Sequence, residues 1–497
     1  MEEQLQSLTV NANILWVLIA GFMVFFMQAG FALVEAGFTR AKNVAHTMLM
    51  NLMVFCIGAI GFWICGFAFA FGGVNHTYAE TAISATQASP TWAFSPITLG
   101  SWGDALSSNI RFGDQWGILG TSGFFLSGIG LSAAGIFAFF MFQMVFMDTA
   151  ATIPTGSGAE RIKFIGFVIM SLLVSMIIYP LSANWVWGGG WLANLGRTLG
   201  LGNGAVDFAG SGVVHMTGGA VGLAIAMVLG PRIGKFNKDG SANTILGHNL
   251  PMGVLGAIIL FFGWFGFNPG SALGIQGSLI NLVALAAFNT LLAGAAGGIS
   301  AMTYTWIKNK KPDPGMSVNG VLAGLVAVTA PCAFIDGWAA VIIGLVAGVL
   351  VCFATVWLEK AKIDDPVGAV PVHLVNGMWG VLAVGLFAKG NPDTAAWNGI
   401  DKPVTGLLYG GGFGQLAAQF LEAASIGIVA FSLAYASFKV LSRMGLLRSR
   451  AEDEIAGLDL PEMGVPGYVS DGEYLPELGA PAPVKDIPAG VPAGASA

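Results

Sequence analysis

The sequence has few charged residues and few cysteines. Only 10% of its 497 residues are Asp, Glu, Lys or Arg, whereas an ordinary soluble domain has roughly 25%. The four cysteines lie in apolar segments with neither CxxC spacing nor histidine neighbours suited to a metal site. The net charge is −6 and no basic cluster of the nucleic-acid-binding kind is present. A soluble enzyme and a nucleic-acid-binding protein are therefore excluded, and no metal or cofactor is expected.

Apolar residues and glycine are abundant instead. Hydrophobic residues make up 55% of the chain, and its 72 glycines suit closely packed transmembrane helices. A membrane-spanning helix needs about 20 mostly apolar residues. The sequence predicts eleven such segments, and the long third one could conceal a break at Pro154. They lie near 13–36, 43–71, 122–150, 162–186, 212–230, 250–267, 278–306, 318–334, 338–359, 370–388 and 410–442.

The basic residues predict an orientation for this all-α polytopic membrane protein. With the N-terminus outside, all but four of the 21 Lys and Arg residues fall on the cytoplasmic side, as the positive-inside rule requires. The first apolar run, which begins near Ile14, has no cleavage pattern and is expected to stay as a helix. We therefore expect a transmembrane domain over residues 1–442 and a partly disordered cytoplasmic tail over 443–497. The four outer basic residues are Arg111, Arg197, Lys389 and Lys402.

Two histidines stand in corresponding apolar segments. His215 occurs in VVHMTGG of the fifth predicted span and His373 in PVHLVNG of the tenth. With five helices in each half, the halves would run in opposite directions, which is the inverted-repeat plan of many transporters. Each histidine alone could be an ordinary hydrogen-bonded core residue. Their matched positions favour a shared pore site, where two neutral imidazoles can pair and still face a small solute.

Other polar and aromatic residues near the outer span ends each allow two interpretations. Asp207, just before the fifth span, could cap its helix or attract a cation. Trp187, at the end of the fourth span, suits an aromatic belt or a cation–π site at a pore mouth. The aromatic run from Phe261 to Phe267 suits the core or an apolar constriction that excludes hydrated ions.

Several motifs, in one order, resemble the ammonium transporter family, in its bacterial and plant branch. The similarity covers about 28–457 of the chain, and the family is related to yeast ammonium permeases and Rhesus proteins. In having Trp187 the chain resembles the ammonium branch, because the Rhesus branch lacks an equivalent tryptophan. The motifs are QAGF at 28–31 with Glu35, AER at 159–161, DFAG at 207–210 through His215 to GPR at 230–232, HNLP at 248–251, GWFGFN at 263–268, and DDP at 364–366 before His373.

The resemblance implies a transport mechanism and a role for particular residues. Ammonium would bind at an outer aromatic site, lose its proton, and cross an apolar pore as ammonia, with or without that proton. By this resemblance the recruitment site consists of Trp187, Ser271, Phe146 and Asp207, the gate of Phe146 and Phe267, and the pore below it of His215, His373, Trp264 and Thr329.

The same resemblance implies the partners. It predicts a homotrimer in the lipid bilayer of the plasma membrane, one pore per subunit, with methylammonium as a substrate analogue. A PII-type signal protein could bind the tail, although Gly457-Leu458-Asp459 is followed here by Met463-Gly464 where the family has His-Gly. The alternative function is an ammonium sensor that signals through the tail. An enzyme is not expected, because the spans contain no GxSxG or HExxH motif.

Overall fold

The computed structural model describes residues 2–73, 106, 108–113, 116–394, 397, 398, 400 and 402–469. Within those residues, ten helices have the length and apolar composition to cross a membrane, and one further apolar helix has 16 residues. In chain order they are α1 (Glu2–Phe38), α2 (Ala41–Phe71), α3 (Ala134–Gly158), α4 (Phe164–Val186), α5 (Ser211–Leu229), α6 (Leu250–Gly270), α7 (Leu279–Asn309), α8 (Pro314–Thr329), α9 (Gly337–Lys360), α10 (Val370–Phe387) and α11 (Phe413–Arg443).

Smaller elements lie between and after these helices. Strands β1 (Asn109–Phe112) and β2 (Trp116–Gly120) pair antiparallel, with Asn109 opposite Gly120. Single helical turns occur at Phe124–Leu126, Pro392–Thr394 and Leu407–Tyr409, and short helices at Leu195–Leu199 and Ala451–Ala456.

The third predicted span differs most from the structure. The sequence predicts it at 122–150, but α3 begins at Ala134 and continues through Pro154 to Gly158. The apolar residues before Ala134 include a single helical turn and were mistaken for part of the span. Pro154 cannot bond to the carbonyl of Ala150, and Gly218 of α5 packs so closely there that an added Cβ would lie 2.7 Å from that oxygen. The helix nevertheless continues without a break to Gly158, in direct contact with α5.

Small residues let the central helices approach each other. A Cβ added to Gly30 of α1 would lie 2.9 Å from the carbonyl oxygen of Gly256 in α6. Gly219 of α5 and Gly377 of α10 make similar close approaches where these two helices cross. Both α5 and α10 begin with a π-helical turn, Ser211–Met216 and Val370–Val375, and each turn carries one histidine.

The two ends of the described chain contact opposite ends of the bundle. Near the start of α1, Asn13 Oδ1 accepts a hydrogen bond of 2.8 Å from the amide of Ile275, just after α6. Beyond the other end of α1, at the start of α2, Asn43 Oδ1 accepts a hydrogen bond of 2.9 Å from the amide of Leu458 in the tail. We call the first end the Trp187 end and the second the tail end. Residues 470–497, with Lys485, lie outside the described residues.

Candidate functional site

A column of six aromatic and imidazole rings runs through the bundle. Its consecutive ring-centroid distances are 6.0, 3.9, 5.4, 5.2 and 6.2 Å. The second and third rings are stacked with an interplanar angle of 19°. The column thus brings together residues from five helices that the sequence separates widely. In order from the Trp187 end its members are Trp187, Phe146, Phe267, His215, His373 and Phe31.

A small cavity of about 20 Å³ lies at the Trp187 end of the column. Trp187, Ser271 and Phe146 all line it, as do Phe142 and Trp397. Hence three of the four predicted recruitment residues share one cavity. Trp397 was not predicted, since it lies in a loop far from the motifs, and its Nε1 donates a hydrogen bond of 3.0 Å to the Ser271 carbonyl.

Asp207, the fourth residue, lies behind that cavity and caps α5. Its two carboxylate oxygens accept four hydrogen bonds of 2.7 to 3.0 Å from the amides at 210–213. Burial raises the pKa of the Asp207 carboxyl, and those four amides oppose the shift. The Asp207 carbonyl accepts the Trp187 Nε1 hydrogen at 2.7 Å, so the capping turn also orients the indole.

The turn after Asp207 requires glycine. Gly210 has a φ of 110°, which side-chain-bearing residues rarely adopt. An added Cβ would also lie 2.6 Å from Val214 Cγ2 and 3.0 Å from the Trp187 ring. Gly210 therefore allows the capping turn, the tryptophan and the start of α5 to pack together.

His215 and His373 face each other at the centre of the column. Their Nδ1 atoms are 3.2 Å apart, so one ring donates its Nδ1 hydrogen and the other accepts it. Both rings are buried, and His215 Nε2 has no partner within the described structure. Trp264 stacks on His215 at a centroid distance of 5.1 Å, and its Nε1 donates to Thr329 Oγ1 at 2.9 Å. Thr329 thus fixes the indole that covers the histidine pair.

A second small cavity, again of about 20 Å³, lies beyond His373 toward the tail end. His373, Phe31 and Glu35 line it. Glu35 accepts hydrogen bonds from Thr155 Oγ1 at 2.7 and 2.9 Å and from Asn51 Nδ2 at 2.9 Å. A buried carboxyl therefore lies one helical turn from the column, on the opposite side of the histidine pair from Trp187.

An ionic cluster closes the tail end of the bundle. Arg232 binds both oxygens of Asp364 at 2.9 and 3.0 Å and Glu160 at 2.9 Å. Arg40 also pairs with Glu160. Burial opposes ionisation of Asp364, but the hydrogen bonds and charge of Arg232, with the charge of Arg161, lower its pKa to about 2. Burial lowers the pKa of Arg161 to about 10. These ion pairs connect the loops between helices at the tail end.

Sequence reasoning missed three buried acids in the helices. Glu35 appeared only as part of a motif, and Asp148 and Glu422 were not singled out, although all three are at most 3% exposed. The rule applied to the histidines, that ionisable residues inside apolar spans mark function, would have found them. Within the described residues, no group of three or more His, Cys, Asp and Glu side chains could hold a metal ion.

Comparisons with known proteins give the same family over nearly the whole chain. The profile of the Ammonium Transporter Family matches residues 15–468. Ammonium transporter Amt2 of Archaeoglobus fulgidus is 43% identical, covering 93% of this chain and 90% of that protein. Ammonium transporter 1 member 3 of Solanum lycopersicum is 35% identical, covering 94% and 97%. A solved structure titled Sensor Amt Protein has a TM-score of 0.74 at 35% identity, covering 92% and 99%.

Proposed function

Because the chain belongs to the ammonium transporter family, we propose that it is a multi-pass membrane transporter that carries ammonium along the ring column. NH4+ binds in the outer cavity against Trp187 and Ser271. It loses a proton there, and NH3 passes the Phe146 and Phe267 gate and then His215 and His373. The observation that supports this path best is the unbroken series of rings between the two small cavities.

The outer cavity suits a small cation. The face of an indole attracts a cation by about 0.5 to 2 kcal/mol, more as water is removed. Trp187 is only 4% exposed, and its ring is held by the hydrogen bond to Asp207. The Ser271 hydroxyl donates to the Phe267 carbonyl at 2.9 Å, so its oxygen lone pairs remain able to accept a hydrogen from ammonium.

The gate then selects by charge. Phe146 and Phe267 stack at a centroid distance of 3.9 Å, which leaves no room for a hydrated ion between the rings. Potassium and ammonium have similar radii, but only ammonium can lose a proton and become a small neutral molecule. Deprotonation before the gate therefore separates the two ions, and movement of the rings admits the neutral one.

The proton either returns to the outside or crosses through the histidine pair. The contact between the two Nδ1 atoms supports a relay, because a proton can move between the rings with both left neutral afterwards. The first route makes the protein a gas channel, and the second makes it an electrogenic carrier.

We also propose the predicted topology and assembly. Eleven spans, with α8 as a short one, place the two ends of the chain on opposite sides of the membrane, as the contacts of Asn13 and Asn43 support. The N-terminal side faces outward and the tail faces the cytoplasm. Residues 1–442 form the transport domain and 443–497 the tail. A homotrimer in the plasma membrane, regulated by a PII-type protein, follows from the family resemblance alone.

A sensor is the second candidate, and the tail contacts favour it. Asp459 Oδ1 accepts the amide of His46 at 2.9 Å, and Lys42 Nζ donates to the carbonyls of Glu454 and Ile455. The tail thus contacts the start of α2, the helix whose Asn51 bonds Glu35. Occupancy of the pore could move the tail through α2, and the solved neighbour at 35% identity is titled a sensor.

The deciding experiment measures uptake into vesicles that contain the purified protein. We expect ammonium and methylammonium uptake above that of empty vesicles, with potassium flux at the background level. Potassium flux as large as ammonium flux would contradict the selectivity mechanism. Current recording on the same vesicles separates an electrogenic carrier from a gas channel, and neither current nor uptake would favour the sensor.

A further inference from the structure

Glu35 lies where ammonia would leave the histidine pair. It follows Phe31 by one turn of α1, and the Phe31 ring is 6.2 Å from the His373 ring between centroids. Glu35 and His373 line the same cavity of about 20 Å³. A cavity above roughly 10–15 Å³ holds one water molecule. Ammonia and ammonium are of that size, so one of them fits between the imidazole and the carboxyl.

The carboxyl of Glu35 has donors around it but no cation. It is 3% exposed and accepts hydrogen bonds from Thr155 and Asn51. Within the described residues, Glu35 takes part in no ion pair. A lone carboxylate inside a membrane is costly, so the group needs either a proton or a cation beside it. Its cavity is the place where either one can be supplied.

The remaining titratable groups near Glu35 favour a bound proton. Asp365, in the loop before α10, accepts hydrogen bonds from Ser157 Oγ at 3.1 Å and from the Val370 amide at 2.7 Å. This second carboxylate repels a negative charge on Glu35. His373 is the other titratable group at the cavity, and its Nδ1 is occupied by His215.

We propose that Glu35 is the proton donor that converts ammonia back to ammonium on the tail side of the histidine pair. The proposal rests on the proposed function and selects its electrogenic route. The O–H bond of the Glu35 carboxyl breaks and an N–H bond forms, which leaves a carboxylate beside NH4+ in the cavity. Glu35 then recovers, through His215 and His373, the proton that ammonium gave up at the outer cavity. One NH4+ is consumed outside and one is formed inside.

The test compares ammonium-induced currents of variants reconstituted in vesicles. Glu35→Gln keeps the size and the hydrogen-bond acceptor but has no acid, and we expect its current to fall roughly 10²-fold, the lower end of what a positioned proton donor contributes. Thr155→Val is the matched control, because it removes a donor to Glu35 and keeps the carboxyl. We expect its current to fall by no more than about fivefold, since a single hydrogen bond contributes only about 1 kcal/mol.

Two outcomes would overturn the proposal. One is a folded Glu35→Gln variant with wild-type current. If that variant does not fold, Glu35→Asp provides the test, because its shorter side chain moves the acid away from the cavity. Wild-type current in Glu35→Asp would then overturn the assignment of Glu35 as the proton donor. A wild-type protein that takes up no ammonium would instead contradict the proposed function itself. The two failures are therefore distinguishable.

Discussion

The Nδ1 atoms of His215 and His373 lie 3.2 Å apart, and each ring is carried by a π-helical turn that begins a helix. A π-turn widens the helix locally and is frequent at functional sites. Here the two turns bring rings from opposite halves of the sequence into one hydrogen bond. Two neutral imidazoles can form this hydrogen bond, one as donor and one as acceptor, without a formal charge in the column.

A carboxylate in place of His215 should therefore relax ion selectivity. In His215→Asp, a negative charge beside Phe267 would attract cations of any kind. We expect the ratio of ammonium to potassium uptake in vesicles to fall roughly tenfold, which corresponds to about 1.4 kcal/mol. His248→Asp is the control, because His248 bonds the Thr39 carbonyl at the tail end and lies off the column. An unchanged ratio in His215→Asp would show that the histidine pair does not line the conduction path.

A smaller gate ring should admit larger substrates. In Phe267→Leu, the stack with Phe146 is lost while much of the apolar volume remains. We expect the methylammonium rate to rise relative to the ammonium rate, because the wider constriction hinders the methyl group less. Phe62→Leu is a suitable control, since Phe62 is equally buried but packs against Phe67 and Tyr179 away from the column. Equal ratios in both variants would contradict a gate at Phe267.

Loss of the outer indole should weaken recruitment. With cation–π attraction of about 1–2 kcal/mol, Trp187→Leu is expected to raise the KM for ammonium roughly 5- to 30-fold. Trp187→Phe retains an aromatic face and should raise it less. Trp185→Leu serves as the control, because its indole bonds the Ile118 carbonyl and does not line the cavity. Concentration dependence of uptake gives the KM values, and a similar rise in the Trp185 variant would indicate a general packing effect.

The apolar segments and motifs predicted most of this architecture. Ten long helices and the shorter α8 correspond to the eleven predicted segments. The third differs most, since it begins at Ala134 and not near 122, while α8 lies about one helical turn before its predicted position and α1 begins earlier than predicted. The error in the third segment has a physical cause, because a hydropathy window cannot tell the apolar turn before Ala134 from the helix itself. The break considered at Pro154 is also absent, since α3 continues through that residue to Gly158.

The site was less predictable than the helices. Ring residues at 146, 187, 215, 267 and 373 could be named from the family resemblance, but the stacking order depends on how the helices cross. Trp397 joins the cavity at the Trp187 end from a loop whose course depends on tertiary contacts. The hydrogen-bond donors to Glu35 and the cavity beside it form only when α1, α2 and α3 pack together.

The ionic cluster at the tail end should make stability depend on acid. The pKa of Asp364 is about 2 in the folded protein and roughly 3.9 in an unfolded chain. Because the folded value is depressed, the stabilisation is fully present above about pH 4 and is lost as the pH falls toward 2. We expect the thermal midpoint in detergent to drop across this window in the wild type. Asp364→Asn should lose most of that dependence.

The same variant should also be weaker at neutral pH. Removing one partner of a buried ion pair costs about 3–5 kcal/mol, and Arg232 would keep only Glu160. Glu452→Gln is the control, since Glu452 is exposed and should keep the wild-type behaviour. If the thermal midpoint of Asp364→Asn falls with pH as it does in the wild type, carboxyl groups other than Asp364 cause the acid dependence.

The tail should detach when its contact with α2 is broken. Asp459 is 3% exposed, and its carboxylate accepts the amides of His46 at 2.9 Å and Gly467 at 3.1 Å. Loss of a buried hydrogen-bonding partner costs about 1–3 kcal/mol, so Asp459→Ala should raise the population of the detached tail roughly 5- to 150-fold. Limited proteolysis measures that population, because cleavage follows the open state when opening is fast. Glu452→Ala, on the exposed face of the same tail, should be cleaved at the wild-type rate. If Asp459→Ala is cleaved no faster than the wild type, the contacts of Asn43 and Lys42 hold the tail without the Asp459 carboxylate. Coupling between the tail and α2 through Asp459 is then excluded.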